Sequence, residues 1–310
     1  MAMAKKRVFL NLDQKKLPRQ RHGPIDRHIL EKQKLLPMIN ENDVQFFREN
    51  GYLIVRDLFP IQDLLAARKQ LELLFSTDTY LHAPHSSPNI INDLYHFAPE
   101  VLPLIFTDAY IAVICDLLEG SAAWIPECAV HRERFFGWHK DSSGVERAGM
   151  DSHKTYAYPM LTAAVYFQDN GLGGGGLSVV AGSHRSPDKT LYYYSKSRLR
   201  RIRNKLLKWL GKSEFHRLEG DSKKEDLPSR LGDLVVFDIR LSHKATFPQQ
   251  KSSVEKLAIF NAFVRNDAVG QEFLAYQKRR PEPFYQYFSQ STLPECVYQR
   301  AQQLGIPVLF

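Results

Sequence analysis

The apolar positions of this chain change their spacing partway along it, from a helical period in the first part to a strand-like pattern in the second. From Asn42 the residues Val44, Phe46 and Phe47 recur at helical spacing and stop at Gly51, with Asn42-Asp43 as the expected cap. Tyr52 to Val55 then reads as a short strand. Asp63 to Phe75 is amphipathic, with Leu64, Leu65, Leu71, Leu73 and Leu74 expected inward, and Ala109 to Leu118 predicts a further helix ending near Gly120. After Ala122 strand signals dominate: Ala123 to Phe136, Met160 to Phe167, Leu177 to Ala181, Asp233 to Ile239 and Leu257 to Val264, divided by Gly, Asp and Pro turns. Helices first and strands afterwards predict a mainly β domain, a sandwich or barrel with helices packed outside one sheet.

Two stretches stand apart from that pattern. Residues 1 to 40 carry seven Lys/Arg among few large apolar groups before Gly23, which predicts a basic arm rather than a domain. Between Thr190 and Lys212, Leu199, Ile202, Leu206, Trp209 and Leu210 fall at helical spacing, so a basic amphipathic helix is expected as an insertion at about 189–215. The segment from Lys189 to Lys212 holds nine Lys/Arg and no Asp/Glu, more than the whole net charge of +8. Such a stretch is a solvated face, a surface for anionic lipid or nucleic acid, or a cover that attracts an anionic substrate. The domain itself is expected over 41–310, with the aromatic tail Phe284 to Phe288 packing back on the core.

Composition narrows the class. At 310 residues and 44% hydrophobic, the chain can bury a substantial core. Its three cysteines, Cys115, Cys128 and Cys296, are odd in number and show no CxxC, so neither a disulfide framework nor a zinc ribbon is indicated. With no signal-type apolar region and no long apolar run, a cytoplasmic protein without a membrane span is expected.

The chemistry concentrates at Trp138-His139-Lys140-Asp141. In an extended strand, side chains two apart share a face, so His139 and Asp141 present an imidazole and a carboxylate side by side while Lys140 points away. A second imidazole, His243, follows the turn and strand Gly232 to Asp238, and two His with one carboxylate around an open face is the ligand set of non-haem Fe(II) oxygenases. His131-x-Glu133 offers the same spacing as a competitor, but lacks the flanking aromatic residue and the loop-opening Ser142-Ser143-Gly144. The run from Gly173 to His184 lacks the Gly-Lys-Ser/Thr of a phosphate loop and reads as a tight hairpin, with His184 structural.

Taken together, Trp138 to Asp141, Leu177 to His184 and Gly232 to His243 resemble, in order and spacing, the motifs of the phytanoyl-CoA dioxygenase family. Glu49-Asn50-Gly51-Tyr52-Leu53-Ile54-Val55 is similar to that family's opening, so the resemblance runs from the Asn42 helix to about Val264. It implies a double-stranded β-helix, a cupin-like jelly roll, and an oxygenase that uses Fe(II), 2-oxoglutarate and O2. It places iron on His139, Asp141 and His243, and the 5-carboxylate of 2-oxoglutarate on Lys256, where the family usually has Arg; Arg265 is the alternative. A full carboxylate at Asp141 argues against a halogenase. Arg132, Arg134 and Arg240 are candidates for an anionic small-molecule substrate, and hydroxylation, oxidative cyclisation and desaturation are all open outcomes. The competing class is a non-catalytic jelly roll that binds anionic lipid or nucleic acid through its basic helix.

Overall fold

A computed structural model of the chain describes residues 39–83, 86–143, 160–186, 223–279 and 293–309, together with 202 and 206. The basic arm, the aromatic segment at 284–288 and most of the predicted insertion helix lie outside these residues. Ile202 and Leu206 are helical and exposed.

The first helix, α1 (Glu41–Asn50), begins two residues earlier than its pattern suggests. Asn40 is the cap: its side chain accepts from the backbone of Asn42 and Asp43, and Asp43 returns a bond to the Asn40 amide. Gly51 closes the helix in the left-handed region at φ 83°, and β1 (Tyr52–Val55) follows at once. Helix α2 (Ile61–Phe75) buries Leu64, Ala67, Leu71, Leu74 and Phe75. Leu65 and Leu73 were expected inward, but a helix turns about 100° per residue, which carries each of them off that stripe, and both are exposed. Two short helices, α3 (Leu94–Phe97) and α4 (Leu102–Ile105), precede α5 (Asp108–Leu117), which is capped by Thr107.

Among the described residues, nine strands form two sheets. The larger holds β1, β2 (Ile90–Asn92), β3 (Ala122–Arg132), β4 (Met160–Tyr166), β7 (Leu234–Asp238) and β9 (Leu257–Arg265), in the antiparallel order β1-β7-β4-β9-β3-β2. The smaller holds β5 (Leu177–Val179), β6 (Glu225–Asp226) and β8 (His243–Ala245), ordered β6-β5-β8. Helices α6 (Ala268–Lys278) and α7 (Glu295–Gln303) complete the described elements.

Alternation along the strands separates two apolar layers. Leu161, Ala163, Val165, Leu257, Ile259 and Phe263 join Leu64, Leu71 and Tyr110 in the layer beneath the helices. Ala164, Tyr166, Phe237 and Ala258 face the other way, against Leu177 and Val179 of the smaller sheet. Each fully buried Leu or Phe contributes about 1.5–3 kcal/mol relative to exposure, so the helical layer anchors the large sheet firmly. The inner layer is left to shape a site. Strand β3 stops at Arg132, short of the predicted Phe136, because Glu133 takes a positive φ of 49° and turns the chain aside. The aromatic residues 135–138 therefore lie on irregular backbone at the edge of the inner face.

Candidate metal centre

His139 and His243 meet as partners in an isolated antiparallel bridge, each amide donating to the other's carbonyl at 2.9 Å. Residues paired in this way put their side chains on the same side, and the two imidazole rings stand 4.2 Å apart. Asp141, two residues past His139, brings Oδ1 to 3.5 Å from His139 Nε2 and 3.7 Å from His243 Nε2. One donor atom from each of the three lies within 4.8 Å of the other two, the one such grouping of His, Cys, Asp and Glu among the described residues.

Both rings are set for coordination by their rear nitrogens. Nδ1 of His139 donates to the Gly137 carbonyl at 2.7 Å, and Nδ1 of His243 donates to the Leu241 carbonyl at 3.0 Å. A carbonyl can only accept, so each Nδ1 carries the hydrogen and each Nε2 turns a lone pair toward Asp141. Burial and the neighbouring His139 lower His243 to about 4, so this imidazole is neutral near pH 7. Burial works to raise Asp141, but His243, His139 and the Thr162 hydroxyl outweigh it and hold the carboxyl at about 2. Thr162 donates to Asp141 Oδ2 at 3.3 Å. Two lone pairs and an anionic oxygen aimed at one point repel one another unless a cation lies between them, so the donor set fits a divalent metal. His243 is 6% exposed while His139 and Asp141 are 39% and 36% exposed, which leaves one side of the grouping open.

The other candidate residues separate by position. Lys140 is buried as well as turned away: its ammonium bonds the Ser183 and Ser186 carbonyls, each at 2.7 Å. Lys256 precedes β9 on the inner face, 6% exposed, with Nζ bonding the Arg134 carbonyl and lying 4.9 Å from the Phe135 ring centre. Burial lowers this ammonium to about 8, against the opposing pull of Glu133. The glycine run explains how Lys256 is seated, since a Cβ on Gly175, whose φ is +97°, would approach Lys256 Cγ to 2.9 Å. Arg265 is at the far end of β9, tied to Asp267 and 3.5 Å from Glu119.

The three candidate arginines prove unlike. Arg132 belongs to the helical side, with Nη2 on the Pro88 carbonyl and its guanidinium 4.4 Å from the Phe75 ring centre. Arg240 is 4% exposed and chelated by Asp238, Nη2 lying 2.6 Å from Oδ2. Arg134 alone is exposed at the site, stacked 4.8 Å over Phe136, whose ring centre is 6.1 Å from that of His139. The competing pair is divided. Glu133 accepts from the Lys256 amide, while His131 lies between Phe136 and Phe260 and is lowered to about 3, mainly by burial and then by Lys256. His184 is buried, with Nε2 at 3.1 Å from the Arg48 carbonyl, joining this region to α1. Thr162, Phe136 and Tyr166 escaped the sequence reading, although alternation along Met160 to Phe167 places Thr162 and Tyr166 on one face.

A jelly roll with two imidazoles and a carboxylate converging at the mouth of its inner face is the scaffold of a non-haem iron oxygenase. Comparison with known proteins agrees: the family profile of phytanoyl-CoA dioxygenase matches residues 47–247, and the chain belongs to that family of Fe(II)- and 2-oxoglutarate-dependent dioxygenases. Solved structures share the fold at low identity. EctD from S. alaskensis with bound Fe aligns at TM-score 0.53 and 18% identity, over 74% of this chain and 77% of that one. HygX from Streptomyces hygroscopicus, with nickel and 2-oxoglutarate bound, gives 0.54 and 18%, over 73% and 87%. The 2-oxoglutarate-dependent carbocyclase SnoK from nogalamycin biosynthesis gives 0.53 and 16%, over 74% and 85%. No curated protein sequence matches the chain significantly. Among the described residues, no helix is long and apolar enough to cross a membrane.

Proposed function

We propose that the enzyme oxidises a C–H bond of a small anionic molecule, with His139, Asp141 and His243 as the iron ligands and Lys256 as the partner of the 2-oxoglutarate 5-carboxylate. The observation that carries this reading is the convergence of three donor atoms within 4.8 Å, open on one side. When bound, Fe(II) and 2-oxoglutarate supply the oxidising chemistry from O2, with succinate and CO2 as coproducts. The chain's own part is placement. The backbone bridge fixes the two imidazoles, the Gly137 and Leu241 carbonyls hold their tautomers, and Thr162 orients the carboxylate.

Lys256 is the better partner for the cosubstrate than Arg265, because it is buried on the inner face while Arg265 is held by acids at the far strand end. An anionic substrate is favoured by Arg134, whose guanidinium lies over Phe136 beside His139. EctD has been solved with 2-oxoglutarate and 5-hydroxyectoine and SnoK is a carbocyclase, so hydroxylation and ring closure both stay open as outcomes on this fold. The test is anaerobic loading with Fe(II) and 2-oxoglutarate, then admission of O2. Succinate formation that is lost in His139→Ala and Asp141→Ala supports the reading; succinate at wild-type rates in those variants overturns it.

A further inference from the structure

We propose that the exposed rings of Phe135, Phe136 and Phe247 are a stacking platform for the substrate, which is an aromatic anion whose acid group pairs with Arg134; this rests on the function proposed above. Phe135 and Phe247 stack with ring centres 5.7 Å apart and planes 20° from parallel, yet Phe247 is 53% exposed. Phe136 is 37% exposed, and its ring centre is 6.1 Å from that of His139. Its carbonyl accepts from the Ala245 amide, two residues before Phe247. Exposed rings therefore adjoin both segments that carry the imidazoles.

Single apolar side chains on a surface are ordinary, but rings gathered beside an open metal grouping call for an occupant. The charges around them say which kind. Each ring has a cation near its face: Lys256 Nζ lies 4.9 Å from the centre of Phe135, the Arg134 guanidinium 4.8 Å from Phe136, and Lys244 Nζ 5.9 Å from Phe247. A cation draws π density toward itself, so a further ring joining the stack is held best when it is itself anionic or electron-rich.

Arg134 supplies the second half of the match. Its guanidinium forms no ion pair among the described residues, and the adjacent Glu133 is engaged by the Lys256 amide. A guanidinium fork left available in this way suits a carboxylate. A saturated acid would satisfy Arg134 but gain nothing from the flat face of Phe247. An uncharged ring would stack but leave the fork without a counter-charge. Both features are met together by a ring that carries an acid.

The test uses three probes, 2-naphthoate, its saturated counterpart decahydro-2-naphthoate and the uncharged 2-naphthalenemethanol, by calorimetry on the full chain loaded with Ni(II) and 2-oxoglutarate. 2-Naphthoate is expected to bind about 3- to 10-fold more tightly than the saturated acid, and Phe247→Leu to abolish that preference while leaving the saturated acid unchanged. Arg134→Met should weaken both acids about 10-fold and spare 2-naphthalenemethanol. The thermal midpoint of each variant should match wild type, because both side chains are exposed. No binding of 2-naphthoate, equal affinity of wild type for the two acids, or equal loss of both in Phe247→Leu overturns the proposal. If any of these occurs while succinate formation still depends on His139 and Asp141, the oxygenase reading stands and the platform alone falls. If the ring preference is found but no succinate forms, the platform stands as a binding site and the oxygenase reading falls.

Discussion

His139 and His243 are joined by reciprocal backbone hydrogen bonds of 2.9 Å, so two imidazoles far apart along the chain are fixed to each other by the backbone itself. Their spacing is set by strand pairing, whereas Asp141 is aimed by a hydrogen bond from the Thr162 side chain. Replacing His139, Asp141 or His243 by Ala should abolish Fe(II) binding in equilibrium dialysis while leaving the circular dichroism spectrum intact. Thr162→Val, which removes the bond to Asp141, should weaken metal binding by roughly 10-fold, within the usual range for groups that orient a ligand. An unchanged affinity would show that the Asp141 carboxylate needs no such support.

Lys256 illustrates stability set against function. Burial depresses its ammonium from 10.5 to about 8, so below pH 8 the lysine is charged in both states and the folded state carries the full desolvation cost. That cost is relieved as pH rises from 8 toward 10.5, and the shift corresponds to about 3 kcal/mol. Lys256→Met should therefore raise the pH 7 stability in urea, by up to about 3 kcal/mol, while losing 2-oxoglutarate affinity. A variant both less stable and unaltered in binding would contradict this account.

His131 should dominate part of the acid dependence of the metal-free protein. Its folded value of about 3 lies below the ordinary 6.5, so the unfolded chain binds more protons and stability falls as pH drops from 6.5 toward 3. Between pH 6.5 and 5 the loss should be about 2 kcal/mol. His131→Phe, which keeps an aromatic ring between Phe136 and Phe260, should flatten that slope in denaturation curves taken at several pH values.

Lys140 ties the His139–Asp141 segment to the turn at Ser183–Arg185 and to Ser186 through the Ser183 and Ser186 carbonyls. Lys140→Met leaves those acceptors unpaired in a buried place, and should cost roughly 2–5 kcal/mol in urea denaturation. Lys140→Ala should be no milder. If either variant matches wild type, the ammonium is not a structural tie.

Local pattern carried much of this protein. Period-two alternation by itself put His139 and Asp141 on one face and Lys140 on the other, and the helix and strand runs marked most of the main elements, because both depend on residues near in sequence. What alternation could not supply was depth. It pointed Lys140 away from the metal grouping, but only packing showed that Lys140 turns into protein and not into water. Arg132, Arg134 and Arg240 were equal candidates along the chain. Strand parity, the turn at Glu133 and the Asp238 chelate then sent them to three different environments. The meeting of His139 with His243 arises from which strands lie side by side. That adjacency is fixed by burial across the whole sheet, so no single stretch of sequence contains it.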